Sequence, residues 1–223
     1  MGLGRTVKRM REIAWVKMPY LDYVGSLKVA FRPRAMIKSD FPQSLSLATE
    51  ITKNDVVLEI GANVGGNSKE LPKYAKFVYS FEPAPSCYKW LARNTRHIPN
   101  IKCYNAAVSD KTKRAQKFNM QYGSGSLFNH DVFDWMAHIE VDVIGINDLP
   151  FKWNVGIFDC EGAEVPILRA LKSFETVDRL YVETHSIDGQ STLPIVREIL
   201  QKHYQLSEDT DIGGFRWVIA ERR

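Results

Sequence analysis

The feature that most constrains this chain is an apolar run over residues 56–60 that breaks directly into a glycine-rich segment. Continuous valine, isoleucine and leucine are typical of a parallel strand that is buried on both faces. Gly61 and Gly65 then allow the backbone to turn sharply and to approach a ligand, because glycine has no Cβ. A second apolar run ends at Glu82, near the ~20-residue offset at which a carboxylate accepts the ribose hydroxyls of an adenosine cofactor. The sequence therefore predicts a βαβ unit with a nucleoside pocket at its strand ends.

The glycine spacing narrows the class of cofactor. Gly61, Gly65 and Gly66 do not form the G-x-G-x-x-G fingerprint, which places a pyrophosphate at a helix N-terminus. The lysine of a P-loop does not follow them either. S-adenosylmethionine carries no phosphate and needs room for its amino acid part, so it fits this pattern better than NAD. A tight turn without any ligand is the alternative, and Glu82 at the expected offset favours the ligand.

Strand and helix patterns alternate along most of the chain, which predicts an α/β fold with a sheet covered on both faces. A final antiparallel hairpin turns around Gly213 and Gly214. Residues 109–135 have little apolar periodicity and are predicted to be a connecting excursion of the kind that often carries function. The predicted strands cover residues 56–60, 77–81, 101–107, 139–144, 153–158, 180–183, 204–206 and 215–220. The predicted helices cover residues 41–52, 67–74, 86–96, 165–171 and 193–202.

Composition indicates one large domain in a reducing compartment. The chain has 223 residues and 44% hydrophobic content, enough for a sizeable core without disulfide bonds. Its three cysteines are widely spaced and form no C-x-x-C pair, so neither a disulfide framework nor a zinc site is indicated. No apolar stretch reaches the length of a membrane span, and no secretory signal is visible. These features predict a cytoplasmic protein.

The first 40 residues form a basic extension before a larger domain over residues 41–223. They hold nine lysine and arginine residues against three acidic ones, although the whole chain carries only +4. Apolar residues recur near helical spacing over residues 5–19, which predicts a basic amphipathic helix. We expect a helix that packs over the active site. The alternatives are contact with an anionic membrane surface or with nucleic acid.

Acidic and imidazole side chains follow the later strands at the points where these strands end. Ligands of open α/β sheets bind beyond the carboxyl ends of the strands, so these residues should converge. His185 is the side chain best able to take a proton near neutral pH, and Asp159 or Glu183 could orient it. These three residues are the predicted catalytic group.

The same cluster has a second interpretation as a metal site. Asp159, Glu161 and Glu164 are candidate ligands for Mg²⁺, which would acidify a hydroxyl group of the substrate. For Glu161 and Glu164 there is also a structural interpretation, because acidic residues in the first turn of a helix are favoured by its dipole. The sequence does not separate these alternatives.

Several segments together resemble the FkbM-type family of S-adenosylmethionine-dependent methyltransferases, over roughly residues 55–185. They are Leu58-Glu59-Ile60-Gly61-Ala62-Asn63-Val64-Gly65, Phe81-Glu82-Pro83-Ala84-Pro85, Ala106-Ala107-Val108-Ser109, Gly123-Ser124-Gly125-Ser126-Leu127 and Phe158-Asp159-Cys160-Glu161-Gly162-Ala163-Glu164. The resemblance implies a doubly wound, mostly parallel seven-stranded sheet of the class I methyltransferase type. It implies cofactor contacts from Glu59, Gly61, Asn63, Gly65, Glu82, Pro83, Ala107 and Asp159. It also implies O-methylation of a hydroxyl on a sugar, a glycan or a glycosylated metabolite.

Two other functions compete with this hypothesis. RNA methylation is suggested by the basic extension, but no Asn/Asp-Pro-Pro-Tyr segment is present, and the chain beyond residue 40 is slightly acidic. The second competitor is a methyltransferase fold without catalysis, kept as a binding module. We expect a small-molecule or glycan acceptor rather than nucleic acid, and the sequence gives no oligomeric state.

Overall fold

The computed structural model describes residues 51–121, 124–128, 137–187, 189–209 and 216–222. The basic extension over residues 1–40 lies outside the described residues. So does the predicted helix over residues 41–52, apart from Ile51 and Thr52, which are not helical. Within the part of the chain that the structure describes, every helix is too short or too polar to span a bilayer.

Thirteen strands and four α-helices follow one another in the described residues. The strands are β1 (Val56–Ile60), β2 (Phe77–Phe81), β3 (Ile101–Tyr104), β4 (Ala107–Ser109), β5 (Lys113–Gln121), β6 (Ser124–Ser126), β7 (Ala137–Gly145), β8 (Val155–Phe158), β9 (Arg179–Thr184), β10 (Ser186–Ile187), β11 (Gln190–Ser191), β12 (Tyr204–Asp209) and β13 (Arg216–Arg222). The helices are α1 (Gly66–Glu70), α2 (Pro85–Thr95), α3 (Glu164–Ala170) and α4 (Leu193–Leu200). Three short 3-10 helices cover Leu71–Lys73, Ile146–Asp148 and Phe174–Thr176.

The main sheet has seven strands in the order β12-β13-β9-β8-β1-β2-β3. Its five central and edge strands from β9 to β3 run parallel, and β13 pairs antiparallel with both β9 and β12. This arrangement confirms the prediction of an α/β fold with a large, mostly parallel sheet. The strand order reverses between β8 and β1, so the carboxyl ends of these strands meet at the position where such sheets bind ligands.

Both faces of the main sheet are covered. Leu58 and Ile60 of β1 belong to a cluster with side chains of α3 and α4, whereas Val57 faces a second cluster on the opposite side. The alternation follows from the two-residue period of a strand. All four residues of β8 are buried, as expected of a strand covered on both faces.

A second sheet was not predicted. It has the strand order β4-β7-β5-β6 and takes in much of the segment that the sequence suggested was an excursion. The predicted strand over residues 101–107 is therefore wrong as one element, because β3 and β4 belong to different sheets. Between them the Asn105 side chain donates to the carbonyl oxygens of Glu82 and Pro83, both at 2.9 Å. These bonds hold the chain in a turn where it leaves the main sheet.

Candidate functional site

A cavity opens at the carboxyl ends of β1, β2 and β8, and the second sheet covers one side of it. Six of the predicted cofactor residues lie in its wall, namely Gly61, Asn63, Glu82, Pro83, Ala107 and Asp159. The other lining residues are Ile60, Phe81, Ala106, Val108, Phe118, Gly125, Leu127, Cys160, Glu161 and Ala163. The strand ends therefore form one wall, as the rule for open α/β sheets requires.

The turn after β1 depends on glycine at position 61. Gly61 has φ of 90°, a conformation that L side chains rarely adopt. The amides of Gly61 and Ala62 both donate to the carbonyl oxygen of Phe81, at 3.0 and 2.9 Å. A Cβ on Gly61 would lie 1.6 Å from the carbonyl oxygen of Asp159. The backbones that leave β1 and β8 are thus in direct contact at the floor of the cavity.

Glu82 presents a fixed carboxylate in this cavity. Its Oε2 accepts a hydrogen bond from the Asn63 amide and its Oε1 accepts one from the Ala84 amide, both at 2.8 Å. Burial raises the pKa of Glu82 to about 7, helped by the charge of Glu59 and opposed by the two amide bonds. Each carboxylate oxygen keeps further acceptor capacity. The group is therefore suited to accept two neighbouring hydroxyls.

Two of the predicted cofactor residues lie behind the cavity wall. Glu59 is buried, and its Oε2 accepts hydrogen bonds from the hydroxyls of Ser68 and Ser80, both at 2.6 Å. Burial raises its pKa. Gly65 is the N-cap residue of α1 and has φ of 89°, and a Cβ there would lie 2.9 Å from Leu91 Cδ1. In the structure these residues hold α1 against β2 and α2, and their cofactor contacts stay predictions.

The predicted catalytic group comes together around one imidazole nitrogen. Nε2 of His185 lies 3.5 Å from Oδ1 of Asp159 and 3.6 Å from Oε1 of Glu183. Oε2 of Glu161 lies 3.6 Å from the same nitrogen. The His185 side chain is 10% exposed. Asp159 and Glu161 follow β8, Glu183 lies near the end of the adjacent β9, and His185 follows that strand.

Glu164 has a different place from the other candidate metal ligands. Its Oε1 lies 2.9 Å from Nδ1 of His185 and also accepts the Cys160 amide at 3.1 Å. The side chain is fully buried in the first turn of α3. Glu164 therefore orients the imidazole from behind and is not a solvent-exposed residue placed there for the helix dipole.

The electrostatics of the cluster favour a positive charge at its centre. Burial alone would lower the pKa of His185, but the hydrogen bond and charge of Glu164, with the charges of Glu161 and Asp159, raise it to about 10. Burial and the neighbouring carboxylate of Glu183 raise the pKa of Asp159 well above its usual range. Burial also raises the pKa of Cys160 strongly, so this thiol is not a reactive thiolate.

The second sheet contributes residues to the site that were not among the predicted site residues. Phe118, Gly125 and Leu127 line the cavity, and a Cβ on Gly125 would lie 2.2 Å from Cε1 of Phe118. The Ser126 hydroxyl donates to the carbonyl oxygen of Glu161 at 2.6 Å. Glu161 itself has φ of 50°, in the left-handed region. The Gly-Ser-Gly-Ser-Leu sequence that ends at Leu127 was the one signal for this wall.

No family model matches the sequence, and no curated protein matches it. Solved structures match the fold. An rRNA methylase from Streptococcus thermophilus has a TM-score of 0.51 at 13% identity over 79% of this chain and 92% of its own. The methyltransferase candidate SMU.1697c from Streptococcus mutans, solved in complex with SAH, has a TM-score of 0.52 at 15% identity, with 81% and 97% covered.

A methyltransferase FkbM from Methylobacillus flagellatus KT also matches, with a TM-score of 0.52 at 16% identity. The match covers 76% of this chain and 44% of the FkbM chain, so this chain spans less than half the length of that protein. At such identities the likeness concerns the fold alone. The fold is that of the S-adenosylmethionine-dependent methyltransferases of class I.

Proposed function

We propose that this protein is an S-adenosylmethionine-dependent methyltransferase that acts on a hydroxyl of a sugar, a glycan or a glycosylated metabolite. One observation carries the proposal. The fixed carboxylate of Glu82 and the edge of the His185 cluster, through Asp159 and Glu161, line the same cavity. A group suited to accept ribose hydroxyls and a group suited to accept a proton therefore line one cavity, where the cofactor and the acceptor would meet for methyl transfer to oxygen. The FkbM-like motifs supply the sugar as the expected acceptor.

The cofactor would be bound by hydrogen bonds from its ribose to Glu82. Because amides of Asn63 and Ala84 fix the plane of this carboxylate, it pays little conformational entropy when the ligand arrives. Apolar side chains of Ala107 and Leu127 line the same cavity and would cover the adenine ring. The turn at Gly61 brings backbone close to the ligand without a side chain in the way.

Methyl transfer would proceed by direct displacement. The acceptor oxygen attacks the methyl carbon, and the bond between that carbon and sulfur breaks. The electron pair of the broken bond remains on sulfur as S-adenosylhomocysteine (SAH) forms. The hydroxyl proton passes to a carboxylate of this cluster, Asp159 or Glu183, because the imidazole of His185, with a pKa raised to about 10, already holds its proton near neutral pH. Alignment of the oxygen with the methyl group supplies much of the rate, and removal of the proton adds the rest.

Replacing His185 with alanine is expected to lower turnover by about 100-fold or more, the range of general acid–base catalysis, because the carboxylates that take the proton lose the imidazole between them. SAH affinity should stay within about twofold, because Glu82 and the Gly61 turn are unchanged. The measurements are calorimetric titration with SAH and methyl transfer to a panel of sugar acceptors.

His97→Ala is the matched control, since His97 is exposed and outside the cluster. Turnover of His185→Ala equal to that of the control would contradict the assignment. SAH binding without turnover on any hydroxyl would favour the non-catalytic module.

Cofactor affinity is expected to fall in acid, because Glu82 must be ionised to accept both ribose hydroxyls. With a pKa of about 7, roughly a tenth of the molecules carry the carboxylate at pH 6 and roughly nine tenths at pH 8. SAH should therefore bind about tenfold more weakly at pH 6 than at pH 8, and binding should release protons near pH 7. Calorimetry across this range measures the effect. In Glu82→Gln the dependence should disappear, and a flat profile in the unmodified protein would show that Glu82 does not hold the cofactor.

We propose that the basic extension over residues 1–40 packs over this cavity as a lid, with contact to an anionic membrane surface as the alternative. The proposal depends on the amphipathic spacing over residues 5–19. The match to the rRNA methylase does not support RNA as the substrate, because at 13% identity the two proteins share only the fold.

A further inference from the structure

Three carboxylate oxygens surround Nε2 of His185 at the distances of ion pairs and not of hydrogen bonds. The distances to Asp159, Glu161 and Glu183 are 3.5, 3.6 and 3.6 Å, longer than an N–H···O bond. Two atoms that each bind a metal at about 2.1 Å lie roughly 3.0 Å apart in octahedral and roughly 3.4 Å apart in tetrahedral geometry. The ligand atoms of Asp159, Glu161 and His185 all lie within 4.8 Å of one another. The two pairs that include His185 are thus already close to the spacing of ligands on one ion, and an inward movement of the carboxylates of Asp159 and Glu161 would complete the set.

Glu164 provides a second and independent observation. Its carboxylate is fully buried and directed at the cluster through the 2.9 Å contact with Nδ1 of His185. Its Oε2 has no hydrogen-bond partner among the described residues. A buried carboxylate oxygen without a partner is costly unless positive charge lies nearby. A carboxylate on the distal nitrogen of a histidine is also the usual support of a metal-binding imidazole, because it fixes the tautomer that leaves the other nitrogen free.

We propose that Nε2 of His185 and the carboxylates of Asp159 and Glu161 bind a divalent metal ion, with Glu164 as a positioning residue. The imidazole ligand favours a first-row transition metal over the Mg²⁺ that the sequence suggested, and among these metals Mn²⁺ is the one that shares the preference of Mg²⁺ for carboxylates. This inference rests on the proposed function and deepens it. Asp159 and Glu161 line the cavity, so the ion would lie beside the acceptor hydroxyl and lower its pKa. Of the residues around Nε2, Glu183 would then accept the proton, because Asp159 and His185 would be ligands of the ion.

Manganese titration of the full chain tests this proposal. After treatment with EDTA and dialysis, Mn²⁺ is added and the free ion is followed by electron paramagnetic resonance. We expect one ion per chain with a dissociation constant in the micromolar range. The bound ion should show coupling to an imidazole ¹⁴N, and this coupling should be absent in His185→Gln. Absence of saturable binding, or binding without ¹⁴N coupling, would overturn the proposal.

Variants separate the ligands from the residue behind them. Asp159→Asn and Glu161→Gln should each weaken Mn²⁺ binding by at least about tenfold, and Glu164→Gln by about 10- to 100-fold. Glu140→Gln, an exposed acid on β7, is the control and should bind as the unmodified protein does. Glu161 is on a partly exposed turn, so its variant remains informative if a buried substitution prevents folding. Equal affinity in Glu161→Gln and Glu140→Gln would reject the ligand set.

The experiments distinguish a failure of the metal site from a failure of the proposed function. SAH binding without any Mn²⁺ binding would leave the methyltransferase proposal intact and remove the metal site. Mn²⁺ binding without SAH binding would do the reverse.

Discussion

Replacing Glu82 with alanine is expected to weaken SAH binding by at least about 100-fold. The variant removes the acceptors of two ribose hydroxyls, and each hydrogen bond to a charged group contributes about 1.5–3 kcal/mol. It also leaves the amides of Asn63 and Ala84 without their acceptor, so the turn around the ribose loses its support. Calorimetric titration with SAH measures the change.

Two controls define the Glu82 result. Glu82→Gln keeps one acceptor oxygen and nearly the same volume, so its affinity should lie between those of the unmodified protein and the alanine variant. Glu140→Ala removes an exposed carboxylate on β7 and should change nothing. If Glu82→Ala binds SAH as tightly as Glu140→Ala does, the ribose does not lie against this residue and the cofactor proposal is wrong.

Gly61→Ala is expected to lower the free energy of unfolding by about 4 kcal/mol or more, a loss that single substitutions cause only through severe backbone or packing conflicts. The added Cβ would lie 1.6 Å from the carbonyl oxygen of Asp159, and φ of 90° is itself unfavourable for alanine. For a chain of this size the melting temperature should fall by at least about 10 °C. Thermal unfolding followed by circular dichroism measures this, and failure to fold would be the extreme form of the same result.

Gly189→Ala separates the clash from the backbone conformation. Gly189 also has a positive φ, of 72°, but apart from its chain neighbours no described residue lies within 4 Å of the position that its Cβ would take. This variant should lose only roughly 1–2 kcal/mol, the cost of a left-handed alanine. Equal melting temperatures for the two alanine variants would mean that the contact between the β1 and β8 exits is not close in solution.

The sequence predicted the main sheet well where each strand had to be buried on both faces. The runs of β1, β2 and β8 are mostly apolar because helices cover both sides, and such runs are recognisable without any contact information. The second sheet could not be predicted in the same way. β5 consists mostly of polar residues and is defined by its pairing with β7, which residues far along the chain supply.

The sequence predicted which residues form the candidate site better than it predicted how their side chains are arranged. The rule that the carboxyl ends of parallel strands converge correctly predicted that Asp159, Glu183 and His185 lie close together. Glu59 shows the limit of this rule, because it precedes the last residue of β1 and its side chain alternates with Leu58 and Ile60. It therefore faces Ser68 of α1 instead of the cavity. Which nitrogen of His185 faces Glu164 depends on side-chain positions that no spacing encodes.

The hydrogen bond from Ser126 to the carbonyl oxygen of Glu161 has a consequence for how such a protein could change its substrate. Strand β6 belongs to the second sheet, so residues 124–128 can be exchanged without altering any pairing of the seven-stranded sheet. Yet this short stretch both lines the cavity and holds the turn that carries Glu161. Evolution could therefore alter the shape of the acceptor site and the charge arrangement beside it together, through a few residues, while the cofactor side of the cavity is left as it is.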